Sequence, residues 1–208
     1  MRRVGGGGGL SWGMGLCELF AAGLCGRCRR GGDQYVDHLG AAMRRVLDAC
    51  CGSRMFWFDR SHPAAVFMDR RRERHVLRDR SSVGGSRVLS ISPDVVADFR
   101  AMPYRDGSFD LVVFDPPHFL RSGESGWMAK KYGALERSTW ADDLRAGFRE
   151  CFRVCRQGGV VVFKWNENEI SVRTVVDLAP CAPLFGNRFG RHEQSHWLVF
   201  RRGDEGMR

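Results

Sequence analysis

The chain has 208 residues, of which 43% are hydrophobic and 27% charged, and its formal net charge is +9 at pH 7. This length and balance are typical of one globular domain with a buried core, and they exclude a disordered or fibrous protein. No run of about 18 apolar residues occurs, which excludes a membrane-spanning helix, and we expect a cytoplasmic location. The positive charge is compatible with nucleic-acid binding but does not establish it, because only three of the 33 basic residues are lysines, a bias that GC-rich codon usage produces.

Residues 1–34 differ in composition from the rest of the chain. They include a glycine run at 5–9 and an Arg/Gly stretch at 27–32, neither of which can bury enough apolar surface to offset the entropy of ordering. We predict a low-complexity, disordered extension here, followed by one domain over residues 35–208. Cys25 and Cys28 have metal-ligand spacing but no second pair accompanies them, so we predict no metal site.

From residue 35 onward, short apolar runs alternate with polar or amphipathic stretches. A helix is predicted over 35–45, with Val36, Leu39 and Met43 along one side. Strands are predicted at 46–51, 64–68, 95–99, 111–114, 160–165 and 196–200, and further helices at 140–155 and 170–178. Continuous apolar strands that alternate with helices indicate an α/β fold, in which a mostly parallel sheet is covered by helices on both faces.

Acidic residues and a glycine turn follow the predicted strands, at the sheet edge where such folds bind ligands. The first strand runs into Gly52, and a glycine there lets the backbone approach a ligand closely. Asp69 ends the second strand, where a carboxylate can accept the hydroxyls of a ribose, and Asp98 ends the third. Each residue alone is compatible with an ordinary loop, whereas their succession at consecutive strand ends favours a nucleotide-like ligand.

The fourth strand ends in Asp115-Pro116-Pro117-His118. Two prolines make the turn rigid and remove two backbone donors, which leaves the Asp115 carboxylate and nearby carbonyls as hydrogen-bond acceptors. Such a site suits a substrate that brings N–H groups, for example the exocyclic amino group of adenine or cytosine.

A polar loop follows the tetrapeptide and contains Lys130, Lys131 and Tyr132. Basic groups beside an aromatic ring suit a phosphate backbone with bases, and a mobile lid over the site is an equal alternative. The remaining length leaves no room for a separate target-recognition domain.

The order of Asp48 to Gly52, Asp69, Asp98 and the tetrapeptide resembles class I S-adenosylmethionine (SAM) dependent methyltransferases. The tetrapeptide itself is similar to the Asp/Asn-Pro-Pro-aromatic motif of DNA amino-methyltransferases. Residues 41–202 resemble small phage and prophage enzymes of this type, through the stretches 48–59, 114–119, 130–133, 163–167, 183–186 and 196–200. The resemblance implies a Rossmann-like, mostly parallel seven-stranded sheet.

The resemblance also implies SAM as the cofactor, nucleic acid as the partner with DNA favoured over RNA, and N6 of adenine as the expected methyl acceptor. Asp69 would hold the ribose of SAM, Asp98 and Phe99 its adenine, and residues 48–53 its methionine part. The implied cofactor-binding residues are Asp48, Ala49, Cys50, Gly52, Ser53, Asp69, Asp98 and Phe99. The implied catalytic residues are Asp115, Pro116, Pro117 and His118, and the implied substrate-binding residues are Phe119, Lys130, Lys131 and Tyr132.

Two residues depart from the family pattern. Arg54 replaces a further glycine of the first motif, so we expect the backbone to approach SAM differently there. His118 replaces the aromatic residue that stacks on the target base, which leaves adenine and cytosine open, and Phe119 could supply the stacking surface instead. RNA, protein and small-molecule acceptors stay open, as does a non-enzymatic nucleic-acid binding protein on a degenerate methyltransferase fold. The sequence determines no oligomeric state.

Overall fold

The computed structural model describes residues 45–78, 84–120, 127–187 and 194–203. The predicted extension over 1–34, with Cys25 and Cys28, lies outside these residues, as does the helix predicted over 35–45 apart from Arg45. Within the described ranges no helix is long and apolar enough to cross a membrane.

Twelve elements follow one another along the described ranges. They are β1 (Val46–Asp48), β2 (Ala65–Asp69), β3 (Glu73–Arg78), β4 (Ser86–Ile91), β5 (Val95–Val96), β6 (Phe109–Phe114), α1 (Trp127–Tyr132), α2 (Trp140–Val154), β7 (Cys155–Asn166), α3 (Val172–Val176), β8 (Phe185–Gly186) and β9 (Ser195–Arg201).

Seven of the strands form one sheet in the order β5-β2-β1-β6-β7-β9-β8. All are parallel except β9, which runs antiparallel to both of its neighbours. The first five positions follow the strand order of the Rossmann fold, in which the chain reverses direction across the sheet beside the first strand. The predicted α/β fold with a mostly parallel seven-stranded sheet is therefore confirmed, and its ligand crevice is expected where β1 and β6 end.

The core lies between the sheet and α2, which buries one apolar face. Phe148 of α2 contacts Phe163 of β7 and Phe114 of β6, with ring centroids 4.8 and 5.4 Å apart. Gly147 lets the helix approach this closely, because a Cβ there would lie 2.6 Å from Cζ of Phe114 and 2.7 Å from Cδ2 of Phe99. Burial of these aromatic rings holds α2 on the strands whose ends form the site.

The structure differs from the predicted elements at several strand ends. The first strand ends at Asp48 rather than at residue 51, and the third ends at Val96 rather than at residue 99. In both places the chain leaves the sheet to form the loops beside the ligand crevice. The helix predicted over 170–178 is limited to Val172–Val176. Helices therefore cover less of the sheet, within the described ranges, than the sequence predicted.

A hairpin of β3 and β4 was not predicted from the sequence. It occupies the connection between the parallel strands β2 and β5, where a helix is the usual crossover. Its buried residues Leu77, Leu89 and Ile91 alternate with exposed ones, which is the period of a strand. Charged residues between them obscured that period.

Candidate functional site

A cavity opens where β1, β2 and β6 end, and most of the predicted site residues line it. From the predicted cofactor set these are Ala49, Cys50, Gly52, Ser53, Asp69 and Phe99. The tetrapeptide lines the cavity with all four residues, Asp115, Pro116, Pro117 and His118, and α1 contributes Lys131 and Tyr132. The fold thus brings together predicted site residues as far apart in the sequence as Ala49 and Tyr132.

Four predicted site residues do not line this cavity. Asp48 is completely buried behind it, and the Phe119 ring contacts those of His118 and Tyr132 instead. Lys130 lines a neighbouring cleft. The Asp98 carboxylate is bound by Arg100, whose Nε and Nη2 donate to it at 2.9 and 2.7 Å. This pairing lowers the pKa of Asp98 although partial burial opposes it.

The turn after β1 brings the backbone to the cavity wall. Amide groups of Ala49 and Cys51 donate to backbone carbonyls of Val113 and Met68, at 2.9 and 2.8 Å, so the loop stays attached to both neighbouring strands. Gly52 has a φ of 50°, and nothing lies within 4 Å of the position that its Cβ would occupy. A ligand can therefore approach the Gly52 backbone from the open side.

Arg54 also adopts a left-handed backbone, with a φ of 55°. Its guanidinium points away from the cavity and donates to the carbonyls of Arg60 and Ser92, at 2.6 and 2.7 Å, and to Asp94 at 3.1 Å. It also lies 3.8 Å from the ring centroid of Phe67. A residue with a Cβ is strained in the left-handed backbone region, whereas glycine is not. The contacts of the Arg54 side chain offset this strain, so the turn keeps its left-handed conformation.

The Asp69 carboxylate is oriented by two backbone amides. Gly52 N donates to Oδ2 and Arg71 N donates to Oδ1, each at 2.9 Å. Arg71 Nε also lies 3.4 Å from Oδ1. Because a carboxylate offers about four acceptor positions, acceptor capacity for a ligand remains. The hydrogen bond from Gly52 N links the turn after β1 directly to the end of β2, so the two segments can contact the same ligand.

Asp115 forms a partly buried ion pair that sequence reasoning missed. Lys164 Nζ lies 2.8 Å from Asp115 Oδ2, because β6 and β7 are parallel neighbours with Phe114 opposite Phe163. Burial raises the pKa of Asp115, although the attraction of Lys164 acts in the opposite direction. A lysine within the otherwise apolar strand Val160 to Trp165 was the available sign of a functional residue.

His118 lies among aromatic rings. Its ring centroid is 4.2 Å from that of Phe119, 5.5 Å from that of Tyr132 and 6.2 Å from that of Trp165. Burial, with a smaller contribution from nearby Lys164, lowers the pKa of His118 to about 4. The imidazole is therefore neutral near pH 7, where it can stack or hydrogen-bond but does not carry charge.

Helix α1 covers the side of the cavity next to the tetrapeptide. Arg71 Nη1 donates to the Lys130 carbonyl at 3.0 Å, which ties this helix to the end of β2. Lys131 Nζ lies 4.7 Å from the ring centroid of Tyr132. Gly133 ends the helix with a φ of 77°, and a Cβ there would lie 3.0 Å from Pro117 Cγ.

No protein-family model and no curated protein matches the sequence. Similar solved structures include a SAM-dependent methyltransferase from Methanosarcina mazei, at 11% identity over 77% of this chain and 92% of that one, with a TM-score of 0.46. The N-methyltransferase NodS from Bradyrhizobium japonicum is 14% identical over 76% and 85% of the two chains, with a TM-score of 0.47. A 1,6-didemethyltoxoflavin-N1-methyltransferase from Burkholderia thailandensis is 12% identical over 76% and 71%, with a TM-score of 0.45. At these values the function has to be inferred from the residues of the site.

The buried Asp48 makes stability depend on pH. Burial raises its pKa to about 7, although Trp57 Nε1 donates to Oδ2 at 2.7 Å. In the unfolded chain an aspartate titrates near ~4, so between pH 4 and 7 only the folded state keeps this proton. The free energy of unfolding should therefore fall as pH rises through this window, by at most about 1.4 kcal/mol per pH unit.

Asp48→Asn should remove this part of the pH dependence, because an amide oxygen still accepts from Trp57 and never ionises. Urea unfolding at pH 5 and pH 8 measures the difference, with Asp142→Asn on the exposed face of α2 as the control. Equal pH dependence in wild type and Asp48→Asn would show that Asp48 is already ionised in the folded protein.

Proposed function

We propose that this chain is a SAM-dependent methyltransferase that transfers a methyl group to an exocyclic amino nitrogen, with N6 of adenine in DNA as the acceptor. One observation carries the proposal. A single cavity joins the Gly52 turn and Asp69, which suit a nucleoside-type cofactor, to the acceptor groups of Asp115 and Pro116. Donor and acceptor would therefore meet at the end of β6.

The cavity wall fits the parts of SAM. The Asp69 carboxylate has acceptor capacity for ribose hydroxyls, and the open side of Gly52 leaves room for the methionine part. Met55, Phe56 and Phe99 provide apolar surface for the adenine ring. Asp98 is paired with Arg100 and does not reach the cavity, so Phe99 is the residue of that loop to which we assign adenine contact. When bound, SAM supplies a sulfonium methyl group, which is the group transferred.

Asp115 and the Pro116 carbonyl would orient the substrate amino group. Asp115 Oδ2 is held by Lys164, whereas Oδ1 makes no hydrogen bond within the described part of the chain and can accept from the substrate. Holding both amino hydrogens fixes the nitrogen and directs its lone pair out of the base plane. Positioning of this kind can supply roughly 7–11 kcal/mol of the barrier reduction, and no covalent enzyme intermediate is needed.

The aromatic cluster around His118 would hold the flipped base. A base taken from a duplex loses its stacking at a cost of a few kcal/mol, and a neutral imidazole beside Phe119 and Tyr132 can replace part of it. The low pKa of His118 excludes a cationic contact to the base near pH 7. Adenine and cytosine can both stack on such a surface. The methylated base is therefore identified from the reaction product.

The function is tested by incubating the protein with methyl-labelled SAM and either DNA or RNA, followed by nucleoside mass spectrometry. N6-methyladenine in DNA is the expected product. If N4-methylcytosine is found instead, the acceptor is cytosine rather than adenine. Label found only in RNA or protein would contradict the proposed substrate. Absence of SAM binding in titration calorimetry would contradict the enzyme itself and favour a non-enzymatic nucleic-acid binding protein.

Asp115→Ala should abolish methyl transfer and leave SAM binding within a few-fold of wild type, because Asp115 is assigned to the substrate and Gly52 and Asp69 to the cofactor. Calorimetry measures the binding and label incorporation measures the transfer. A comparable loss of SAM binding would show that Asp115 binds the cofactor rather than the substrate.

Lys164→Met should shift the acidic limb of the pH profile to higher pH. Lys164 lowers the pKa of Asp115, so its removal raises that pKa, and the carboxylate that accepts amino hydrogens forms only at higher pH. The measurement is kcat/KM between pH 5 and 9, with Lys131→Met as a control that removes one charge from the cavity wall. An unshifted limb, with activity lost equally at every pH, would limit Lys164 to a structural role.

A further inference from the structure

The β3–β4 hairpin is a separate two-stranded sheet beside the entrance to the cavity. The two strands pair antiparallel from Glu73 opposite Ile91 to Arg78 opposite Ser86. They follow directly on Asp69 at the end of β2, with three residues between β2 and β3. The hairpin therefore begins at the same sheet edge as the proposed active site.

One face of the hairpin carries its buried apolar side chains. Leu77, Leu89 and Ile91 are buried on this face. At the base of the hairpin, Arg72 Nη2 donates to the Pro93 carbonyl at 2.9 Å. A two-stranded ribbon is marginally stable by itself, so the burial of these side chains supports the pairing of the two strands.

The other face of the hairpin, which we call the outer face, is exposed and lacks acidic residues. It consists of the cross-strand pairs Arg74 with Ser90, Val76 with Val88 and Arg78 with Ser86. Val76 is 68% exposed and Val88 is 52% exposed, so apolar surface lies between the two arginines. Side chains four residues apart on a strand lie about 13 Å apart.

Arg74 and Arg78 differ from most arginines near the site because they form no ion pair or hydrogen bond with any described residue. Arg71 is paired with Asp69, and Arg100 with Asp98 and Asp143. Two uncompensated positive charges on one face create a local field that attracts an anionic partner. The outer face is thus complementary in charge to a phosphate backbone.

We propose that the outer face of the β3–β4 hairpin is a docking surface for duplex DNA, an inference that rests on the proposed function. The major groove of B-DNA is about 12 Å wide and admits a two-stranded β-ribbon, whereas the deep, narrow major groove of A-form RNA does not admit side chains. Arg74 and Arg78 contact phosphates, and the Val76–Val88 pair meets the apolar parts of the groove, such as thymine methyl groups.

A second cleft connects the hairpin to the active-site cavity. Glu73 and His75 of β3 line it, together with Lys130. Arg70 and Pro117 line both this cleft and the cavity of the tetrapeptide. Glu73 and His75 belong to the opposite face of β3 from Arg74 and Val76. The hairpin therefore borders the opening through which a flipped base would enter, with its outer face turned away from the cleft.

The test compares Arg74→Gln/Arg78→Gln with Arg105→Gln/Arg149→Gln. The control removes the same two charges from exposed arginines that line neither cavity. Fluorescence anisotropy with a labelled DNA duplex, measured between 50 and 300 mM KCl, gives the affinity and its salt dependence. Each lost phosphate contact makes the slope of log K against log salt less negative by about 0.9. The slope of the hairpin variant should therefore be less negative by about 1.8, and its binding about tenfold weaker at ~0.15 M salt.

Three results would overturn the docking surface: equal affinity of the hairpin variant and the control, an unchanged salt slope, or tighter hairpin-dependent binding to an RNA duplex than to DNA. SAM calorimetry and label transfer, run on the same preparations, separate this outcome from failure of the function. If wild type methylates DNA while the hairpin variant binds DNA normally, the docking surface alone is wrong. If wild type binds SAM but labels no nucleic acid and binds no duplex, both proposals fail.

Discussion

The pairing of β1 between β2 and β6 is the constraint on which the site depends. Asp48 of β1 lies opposite Phe67 on one side and Val113 on the other, so the three strands end at nearly the same level. The Gly52 turn, Asp69 and the tetrapeptide follow those ends and meet in one cavity. A slip of one residue in either pairing would reverse which side chains face the core, and the aromatic packing against α2 opposes such a slip.

Burial of charge at this edge is resolved in two different ways. Asp115 keeps an ionic partner, since Lys164 reaches it from the neighbouring strand. Asp48 has no cation beside it among the described residues, and its pKa rises to about 7 because burial disfavours the charged form, with Asp115 and Asp69 adding repulsion. Lys164 therefore pairs with Asp115, the carboxylate that faces the cavity, whereas Asp48 behind it can remain protonated. Lys164 thus opposes the effect of burial on the carboxylate that faces the cavity.

The connection between β2 and β5 gives the fold its individual character. Parallel strands are usually joined by a helix that covers the sheet, and here a hairpin with Leu77, Leu89 and Ile91 buried takes that place. A helix would have packed flat against the sheet. A ribbon instead presents an exposed outer face that carries Arg74 and Arg78.

The sequence by itself determined the fold class and most of the cavity wall, because both follow from local patterns. Buried apolar strands predict a parallel sheet, and residues at the ends of such strands must meet at one edge. Only the tertiary structure decided which carboxylates are paired: the Lys164 contact with Asp115 and the Arg100 contact with Asp98 join residues whose positions depend on strand register or side-chain direction. It also decided that His118 is neutral, since burial by Phe119, Tyr132 and Trp165 arises only when distant segments pack together.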